Sequence, residues 1–197
     1  MRHSLIHHTS IALFACLILF SGCRKTVTRV NTDDDIDLSG RWNDGDSRRV
    51  AEALTQSALE GRWLEEFQRK HNRQPVMIVG MIQNKSHEHI EAETFIKDME
   101  KEFVRTGLVR VVQNAVFREK LREERADQQE FASPDTQKRW GAELGADFMM
   151  FGTINSIVDQ EGRRQVTFYQ VDLELANLET NELAWVDGKK IKKYIVN

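Results

Sequence analysis

The sequence has few cysteines and no long apolar run, and each shortage excludes a class of protein. Its two cysteines, Cys16 and Cys23, are too few for a disulfide-stapled fold or for a zinc site built on thiolates. Its one strongly apolar run, Ile11 to Phe20, has about half the length that crosses a bilayer. The formal net charge of −3 argues against nucleic acid or anionic lipid as a main partner, because both bind a concentrated basic face.

The apolar run lies in a segment typical of a secretion signal. Arg2 precedes it, and Leu19-Phe20-Ser21-Gly22-Cys23 closes it with small residues and a cysteine. A basic start, a short apolar run and small residues are the three parts of a signal peptide. A cysteine directly after Ser-Gly resembles the lipobox of bacterial lipoproteins. This resemblance implies that residues 1–22 are a signal peptide and that Cys23 becomes the acylated first residue of the mature chain.

Acylation of Cys23 would hold the chain at a membrane. Each buried methylene of an acyl chain contributes about 0.8 kcal/mol, so two or more chains form a stable anchor. Arg24 follows the cysteine in place of the aspartate that retains enteric lipoproteins in the inner membrane. The expected location is therefore the outer membrane, facing the periplasm. An ordinary secreted protein with a chance cysteine is the alternative.

The residues after the cysteine predict a tether followed by one domain. Residues 23–40 are mostly polar and include Asp33-Asp34-Asp35, which is typical of a flexible segment. A stretch of this length extends to at most about 60 Å. Residues 41–197 are long enough for one α/β domain with its own core.

The first half of the domain predicts an N-terminal helix, followed in sequence by a strand-helix-strand unit. Asp44 or Asp46 can cap that helix, which is expected to run from there to about Arg69. The unit is then formed by a central strand from Pro75 to Ile82, a helix from about His89 to Thr106 that stops at Gly107, and a strand from Leu108 to Val112. Its two strands should be parallel, with a right-handed crossover.

The second half predicts two helices and an antiparallel meander. Asn114 can cap a charged and largely solvated helix, and Ser133-Pro134-Asp135 is a start signal for a further helix ending at Gly145. Three strands follow, at roughly residues 147–158, 165–178 and 183–194. The whole is an α/β fold, with a mixed sheet of about five strands packed with about four helices.

No motif predicts catalysis or a cofactor. His87-Glu88-His89 is the best metal candidate, but no further ligand is near it in sequence, and a solvated loop is the simpler interpretation. The segment from Gly80 to Ser86 ends in Lys-Ser like a phosphate loop, but it lacks the second glycine. A Gly-x-Ser-x-Gly motif is absent. We therefore expect a protein that is not an enzyme and has neither metal nor cofactor.

An ordered series of short segments runs through almost the whole domain. Its main members are Asp37-Leu38-Ser39-Gly40-Arg41-Trp42-Asn43-Asp44, Arg73-Gln74-Pro75-Val76, Asn84-Lys85-Ser86 with Glu88-His89-Ile90, Arg122-Glu123-Glu124-Arg125-Ala126-Asp127-Gln128-Gln129, Leu144-Gly145-Ala146-Asp147, Gly152-Thr153-Ile154-Asn155-Ser156-Ile157 and Phe168-Tyr169-Gln170-Val171. This series resembles the LpoB family, the lipoprotein activators of penicillin-binding proteins.

The resemblance implies a lipid-anchored domain without catalytic activity. Such a domain binds a bifunctional class A penicillin-binding protein, a peptidoglycan synthase, in the periplasm and stimulates it, which makes it a regulator of peptidoglycan synthesis. The implied fold is similar to the N-terminal domain of TolB. Enteric members carry a long proline-rich tether, whereas the two prolines of this chain, Pro75 and Pro134, both lie in the predicted domain.

Two polar segments without a core role are the candidate partner-binding surface. The residues are Asn84, Lys85, Ser86, His87, His89, Arg122 and Arg125. Ordinary solvated surface is the alternative for all of them, and the two arginines can instead pair with Glu119 and Glu123 on their own helix. A structural or envelope-assembly lipoprotein that docks another periplasmic complex is the alternative function. A small-molecule enzyme is the third possibility, and it predicts a deep polar pocket.

Overall fold

The computed structural model describes residues 25–32, 34, 36–133, 135 and 143–196. The chain divides into two compact units, residues 1–34 and residues 35–197. The predicted signal peptide and Cys23 lie outside the described residues. In the first unit, the described residues form neither helix nor strand. No helix in the described part of the chain is both long and apolar enough to span a bilayer.

The second unit holds four helices and five strands among its described residues. The helices are α1 (Asp44–Leu59), α2 (Arg62–His71), α3 (Ala92–Thr106) and α4 (Ala115–Phe131). The strands are β1 (Val76–Asn84), β2 (Arg110–Val111), β3 (Phe148–Glu161), β4 (Arg164–Asn177) and β5 (Leu183–Val196). This confirms the predicted α/β class with a mixed sheet.

The strands form one sheet in the order β2-β1-β3-β4-β5. β1 is parallel to β2, as the strand-helix-strand pattern predicts, and it is also parallel to β3. β3, β4 and β5 pair in antiparallel fashion and confirm the predicted meander. β5 is an edge strand, and its exposed lysines are Lys189, Lys190 and Lys192.

One hydrophobic core packs α1, α2 and α3 against the sheet. α3 contributes Phe95, Ile96, Met99 and Phe103, the buried face that its periodicity predicts. On β4 every second residue from Thr167 to Leu175 is buried, while the residues between them are partly exposed. A strand with this alternation has one face on the core and one toward water. The uncovered face belongs to the meander.

The predicted opening helix is wrong in two respects. The segment forms two helices, because the helical conformation is interrupted at Glu60 and Gly61 between α1 and α2. At the break the Trp63 indole N–H donates to the Ala58 carbonyl at 2.7 Å, and a Cβ on Gly61 would lie 2.6 Å from the Trp63 ring. The cap is Asn43, whose side chain accepts from the Asp46 N–H, while the Asp46 carboxylate accepts from the Asn43 N–H.

Other element boundaries differ from the prediction. α3 begins at Ala92 instead of His89, because the residues before it form a hydrogen-bonded loop. β2 has two residues in place of five. The predicted helix from Ser133 to Gly145 falls largely on residues 134 and 136–142, outside the described residues, and residues 143–147 are not helical.

Asp147 joins the starts of β1 and β3. Its carboxylate receives two hydrogen bonds from Arg73, at 2.7 and 2.8 Å, and one from the Val76 N–H at 2.8 Å. Burial acts to raise the pKa of Asp147, but the bonds from Arg73 and Val76 outweigh it and lower this pKa. The ionised carboxylate therefore stabilises the point where the parallel strands begin.

Replacing Asp147 by asparagine is expected to cost about 1 kcal/mol at pH 7, because Arg73 is half exposed and water screens the pair. A lowered folded-state pKa means that the stabilisation is present above about pH 4 and is lost as the pH falls through the folded pKa. Urea unfolding of wild type and Asp147→Asn between pH 7 and pH 2 measures this, with exposed Asp159→Asn as the control. A difference that stays constant down to pH 2 would contradict the ionic explanation.

Candidate functional site

The loop after β1 alternates between inward and outward side chains. Asn84, Ser86 and Glu88 are partly buried, whereas Lys85, His87 and His89 are exposed. The Lys85 N–H donates to the Ile154 carbonyl at 2.8 Å and so continues the pairing with β3. The loop therefore keeps an extended, strand-like alternation beyond the end of β1.

The inward side chains hold the loop together. Asn84 Nδ2 donates to the Glu88 carbonyl at 2.8 Å, and its Oδ1 accepts from the N–H and hydroxyl of Ser86 at 3.0 and 2.7 Å. The Glu88 N–H in turn donates to Ser86 Oγ at 3.2 Å. Asn84 and Ser86 thus satisfy the loop's own polar groups, and their role is to shape the loop.

Glu88 is the centre of this site. Its Oε2 accepts from the Trp42 N–H at 3.0 Å, and its Oε1 accepts from the Tyr169 hydroxyl at 2.7 Å. Trp42 and Tyr169 pack edge to face, with ring centroids 5.4 Å apart. Burial raises the pKa of the Tyr169 phenol well above its ordinary value, and the bond to Glu88 adds to this shift. One carboxylate therefore joins the start of the domain, the loop and β4.

His87 is exposed but held from two sides. Its N–H donates to Ser156 Oγ at 3.0 Å, its ring Nδ1 lies 2.6 Å from the same oxygen, and its Nε2 lies 3.3 Å from Glu88 Oε1. An open cleft of about 510 Å³ lies beside it, between the loop and the β3–β4 hairpin. The cleft is lined by Arg41, Trp42, His87, Glu88, His89, Val158, Gln160 and Gln165. The site is a polar surface on which contacts with Ser156 and Glu88 orient the imidazole.

The two arginines of the predicted surface lie on α4, where no described residue is buried. Arg122 bonds Glu143 through Nε and Nη2, at 3.0 and 2.9 Å, and Glu119 through Nη1 at 3.1 Å. Arg125 bonds Glu143 at 3.4 Å. The bond from Arg122 lowers the pKa of Glu143. Glu143, which the sequence interpretation did not consider as a partner, ties α4 to the segment before β3.

The predicted surface residues therefore separate into three groups. Lys85, His87 and His89 share the outward side of the loop, Asn84 and Ser86 face inward, and the two α4 arginines pair with Glu143. Among the described residues, no hydrogen bond or ion pair joins the loop to those arginines. Glu88 and Tyr169 were missed as site residues. Tyr169 carried a usable signal, because a tyrosine on a buried strand face needs a hydrogen-bond partner.

The histidine pair and the Lys-Ser segment that were compared with a metal site and a phosphate loop both lie in this loop. No cluster of three histidine, cysteine, aspartate or glutamate side chains with ligand geometry occurs in the described residues. Gly80 faces β3 closely, since an added Cβ would lie 2.9 Å from the Met150 carbonyl. Gly80 therefore has a packing role between paired strands.

Comparison with known proteins identifies one family. The model of a family described as the peptidoglycan-synthase activator LpoB matches residues 46–191. That match covers most of the chain, begins within α1, ends within β5 and includes the loop after β1 and α4. A search of curated protein sequences gave no significant match.

Several solved structures are similar to this chain. The LpoB C-terminal domain from Salmonella enterica is 12% identical with a TM-score of 0.43, over 74% of this chain and 98% of that one. The Escherichia coli domain is 12% identical with a TM-score of 0.39, over 77% and 99%. Lipoprotein GNA1162 from Neisseria meningitidis is 13% identical with a TM-score of 0.39, over 62% and 84%.

Proposed function

This chain belongs to the LpoB family of peptidoglycan-synthase activators, and we propose that it binds and activates a bifunctional class A penicillin-binding protein. It regulates peptidoglycan synthesis through this contact and catalyses no step itself. Family membership is the single observation that carries the proposal. The absence of a catalytic motif in the sequence agrees with it.

The proposed location of the protein is the periplasmic face of the outer membrane. Its support is the sequence pattern around Cys23, with the short apolar run before it and Arg24 after it. Acylation of Cys23 would confine the domain to a layer next to the membrane. The synthase must then be reached from that layer.

The proposed contact surface is the outward side of the loop after β1. Lys85, His87 and His89 project from a backbone that Asn84, Ser86 and Glu88 hold from within. A surface fixed in this way loses little conformational entropy when a partner binds, which favours affinity. Nucleic acid is not a proposed partner, because the chain has no excess of basic residues.

Activation requires differential binding. The chain stimulates a synthase only if it binds an active conformation more tightly than an inactive one. A tenfold shift in that equilibrium needs about 1.4 kcal/mol of differential affinity. A few contacts from a preorganised loop are enough to supply a difference of this size.

The test is glycan polymerisation by each class A synthase of the source organism, with and without purified residues 24–197. We expect stimulation of one synthase, and at least a fivefold weaker response with Lys85→Ala and His89→Ala combined. Neither side chain makes a hydrogen bond among the described residues, so the fold should be unaffected. The matched control replaces exposed Lys190 and Lys192 of β5 by alanine.

Failure of the chain to stimulate or bind any synthase would refute the proposal. If the loop variant stimulates the synthase as strongly as wild type does, the contact surface lies elsewhere on the domain. The two results are separable, because the first concerns wild type and the second concerns only the variant.

A structural or envelope-assembly role is the second candidate, and the length of the tether favours it. Asp37 is bound to Lys193 at 2.8 Å, so only about a dozen residues separate Cys23 from the domain. Fully extended, they reach about 45 Å, which limits contact with a synthase in the inner membrane. Co-purification distinguishes the candidates, because activation requires a class A synthase among the bound proteins.

A further inference from the structure

Residues 37–42, between the predicted tether and α1, are bound to the edge strand β5. We call them the entry segment. The Asp37 carboxylate lies 2.8 Å from Lys193 Nζ, and the Arg41 carbonyl accepts from the same Nζ at 2.8 Å. Among the described residues of the second unit, Asp37 is the first that bonds to the sheet. Lys193 therefore holds the entry segment at two points.

A tight turn fixes the middle of the entry segment. The Gly40 N–H donates to Asp37 Oδ1 at 2.9 Å, and Gly40 has a φ of +67° that favours glycine. Gly40 also packs directly against Ile195 of β5, which leaves no room for a side chain there. The backbone of the entry segment thus lies on β5 without a gap.

The last residue of the entry segment supports the loop after β1. The Trp42 N–H donates to Glu88 Oε2 at 3.0 Å, and the Trp42 ring packs on Tyr169 with centroids 5.4 Å apart. Glu88 Oε1 in turn lies 3.3 Å from Nε2 of His87, which is on the proposed contact surface. The order of this loop therefore depends on the entry segment being in place.

The links of the entry segment differ in strength along the chain. The Asp37 side chain is 46% exposed, and ion pairs that water reaches are weak. Its release leaves Lys193 paired with Asp46 at 2.6 Å, so this buried carboxylate keeps its cation. Trp42 is the last link, because its indole N–H also donates to Ser47 of α1 at 2.6 Å. A pull from the tether is expected to open the segment from Asp37 toward Trp42 while the rest of the domain stays folded.

We propose that a stretched tether releases the entry segment from Lys193 and thereby weakens the contact between the loop after β1 and the synthase. The inference rests on the proposed function and adds regulation to it. A chain that is anchored at Cys23 and bound to a synthase near the limit of its reach pulls its tether straight, and the pull acts first on Asp37. The chain then stimulates a synthase only where the distance between anchor and synthase leaves the tether slack.

The first experiment pulls on the mature chain, residues 23–197, made without acylation. Handles are attached to the thiols of Cys23 and of Glu179→Cys, a substitution in the turn between β4 and β5. We expect a reversible extension of up to about 20 Å, the length of six extended residues, before the domain unfolds. Asp37→Asn should lower the force of this step. Asp98→Asn, which breaks an exposed ion pair with Lys101 on α3, is the control.

The second experiment measures hydrogen exchange of the full chain in detergent with an uncharged substitution. Gly40→Ala displaces the entry segment from Ile195 and should speed exchange of the amides of residues 84–89 at least threefold, with no change in α3. Gly107→Ala is the matched control, because Gly107 has a φ of +65° but open space around it.

The third experiment measures the Kd of the same proteins for the synthase that wild type stimulates. Gly40→Ala is expected to weaken binding at least threefold, and Gly107→Ala is expected to leave it unchanged. If wild type binds a synthase and Gly40→Ala binds as tightly, the inference fails and the proposed function stands. If wild type binds no synthase, both fail. Unfolding under force in one step, or faster exchange in Gly40→Ala throughout the domain, would also overturn the inference.

Discussion

Lys193→Met is expected to lower the free energy of unfolding by about 3 kcal/mol, which is the size of effect seen when one partner of a buried ion pair is removed. For a domain of this size, that corresponds to a decrease in Tm of roughly 6 to 12 °C. Chemical and thermal unfolding of wild type and variant at pH 7 measure it. The ion pairs of Lys193 join β5 both to α1 and to the segment that precedes α1.

The reason is that Lys193 has three acceptors and little exposure. Its Nζ lies 2.6 Å from Asp46, 2.8 Å from Asp37 and 2.8 Å from the Arg41 carbonyl, and its side chain is 10% exposed. Burial acts to lower the pKa of Lys193, but the bonds to Asp37 and Asp46 outweigh it and raise this pKa. The stabilisation is therefore present below about pH 10 and is lost as the pH rises through the folded pKa.

Asp46 accounts for most of the expected loss. Its side chain is fully buried, and in Lys193→Met the half-exposed Arg49 would be its remaining cation. Exposed Lys192→Met on the same strand is the control and should change stability by less than about 0.5 kcal/mol. Equal effects of the two substitutions would mean that loss of a lysine, and not loss of the buried pair, causes the change.

Glu88→Ala is expected to cost about 2 kcal/mol and to disturb the loop after β1. It leaves the Trp42 N–H and the Tyr169 hydroxyl without their acceptor, and unmade bonds of buried groups cost about 1–3 kcal/mol each. Because the loop backbone depends on the same residue, we also expect a weaker response of the synthase. Urea unfolding and the polymerisation assay measure the two effects.

The Tyr169 phenol provides a direct readout of the same substitution. The chain has two tyrosines, and Tyr194 is exposed, so an absorbance titration separates them. The raised pKa of Tyr169 should move down toward its ordinary value near 10 when Glu88 is removed. Tyr169→Phe assigns the transition, and exposed Glu179→Ala is the control. An unchanged Tyr169 transition in Glu88→Ala would mean that burial alone raises this pKa.

Periodicity predicted the elements whose buried faces are regular. α3 repeats apolar residues at helical spacing, and β4 alternates, so both were predictable from residue pattern alone. The break between α1 and α2 was not, because it depends on the Trp63 indole reaching the Ala58 carbonyl. The pairing of β1 with β3 was also not predicted, because an apolar run does not specify which strand lies next to it in the sheet.

The loop of the candidate site was predictable as a polar segment, but the direction of each of its side chains was not. Polarity directed attention to the stretch from Asn84 to His89, but only its backbone geometry separates inward Ser86 from outward Lys85. Glu88 lies between two histidines in sequence and suggested a metal ligand, whereas its partners are Trp42 and Tyr169, which are distant in sequence. Such long-range hydrogen bonds leave no local signal.

The exposed lysines of β5 affect whether two copies of the protein can pair through the edges of their sheets. An edge strand of 14 residues presents unpaired backbone groups, and such an edge is a template for continuing a sheet from one molecule to the next. Lys189, Lys190 and Lys192 lie near the middle of this strand. Two copies meeting edge to edge in antiparallel fashion would bring these like charges opposite each other, which is unfavourable. Repulsion between these lysines therefore opposes the pairing of two β5 strands from different molecules in this arrangement.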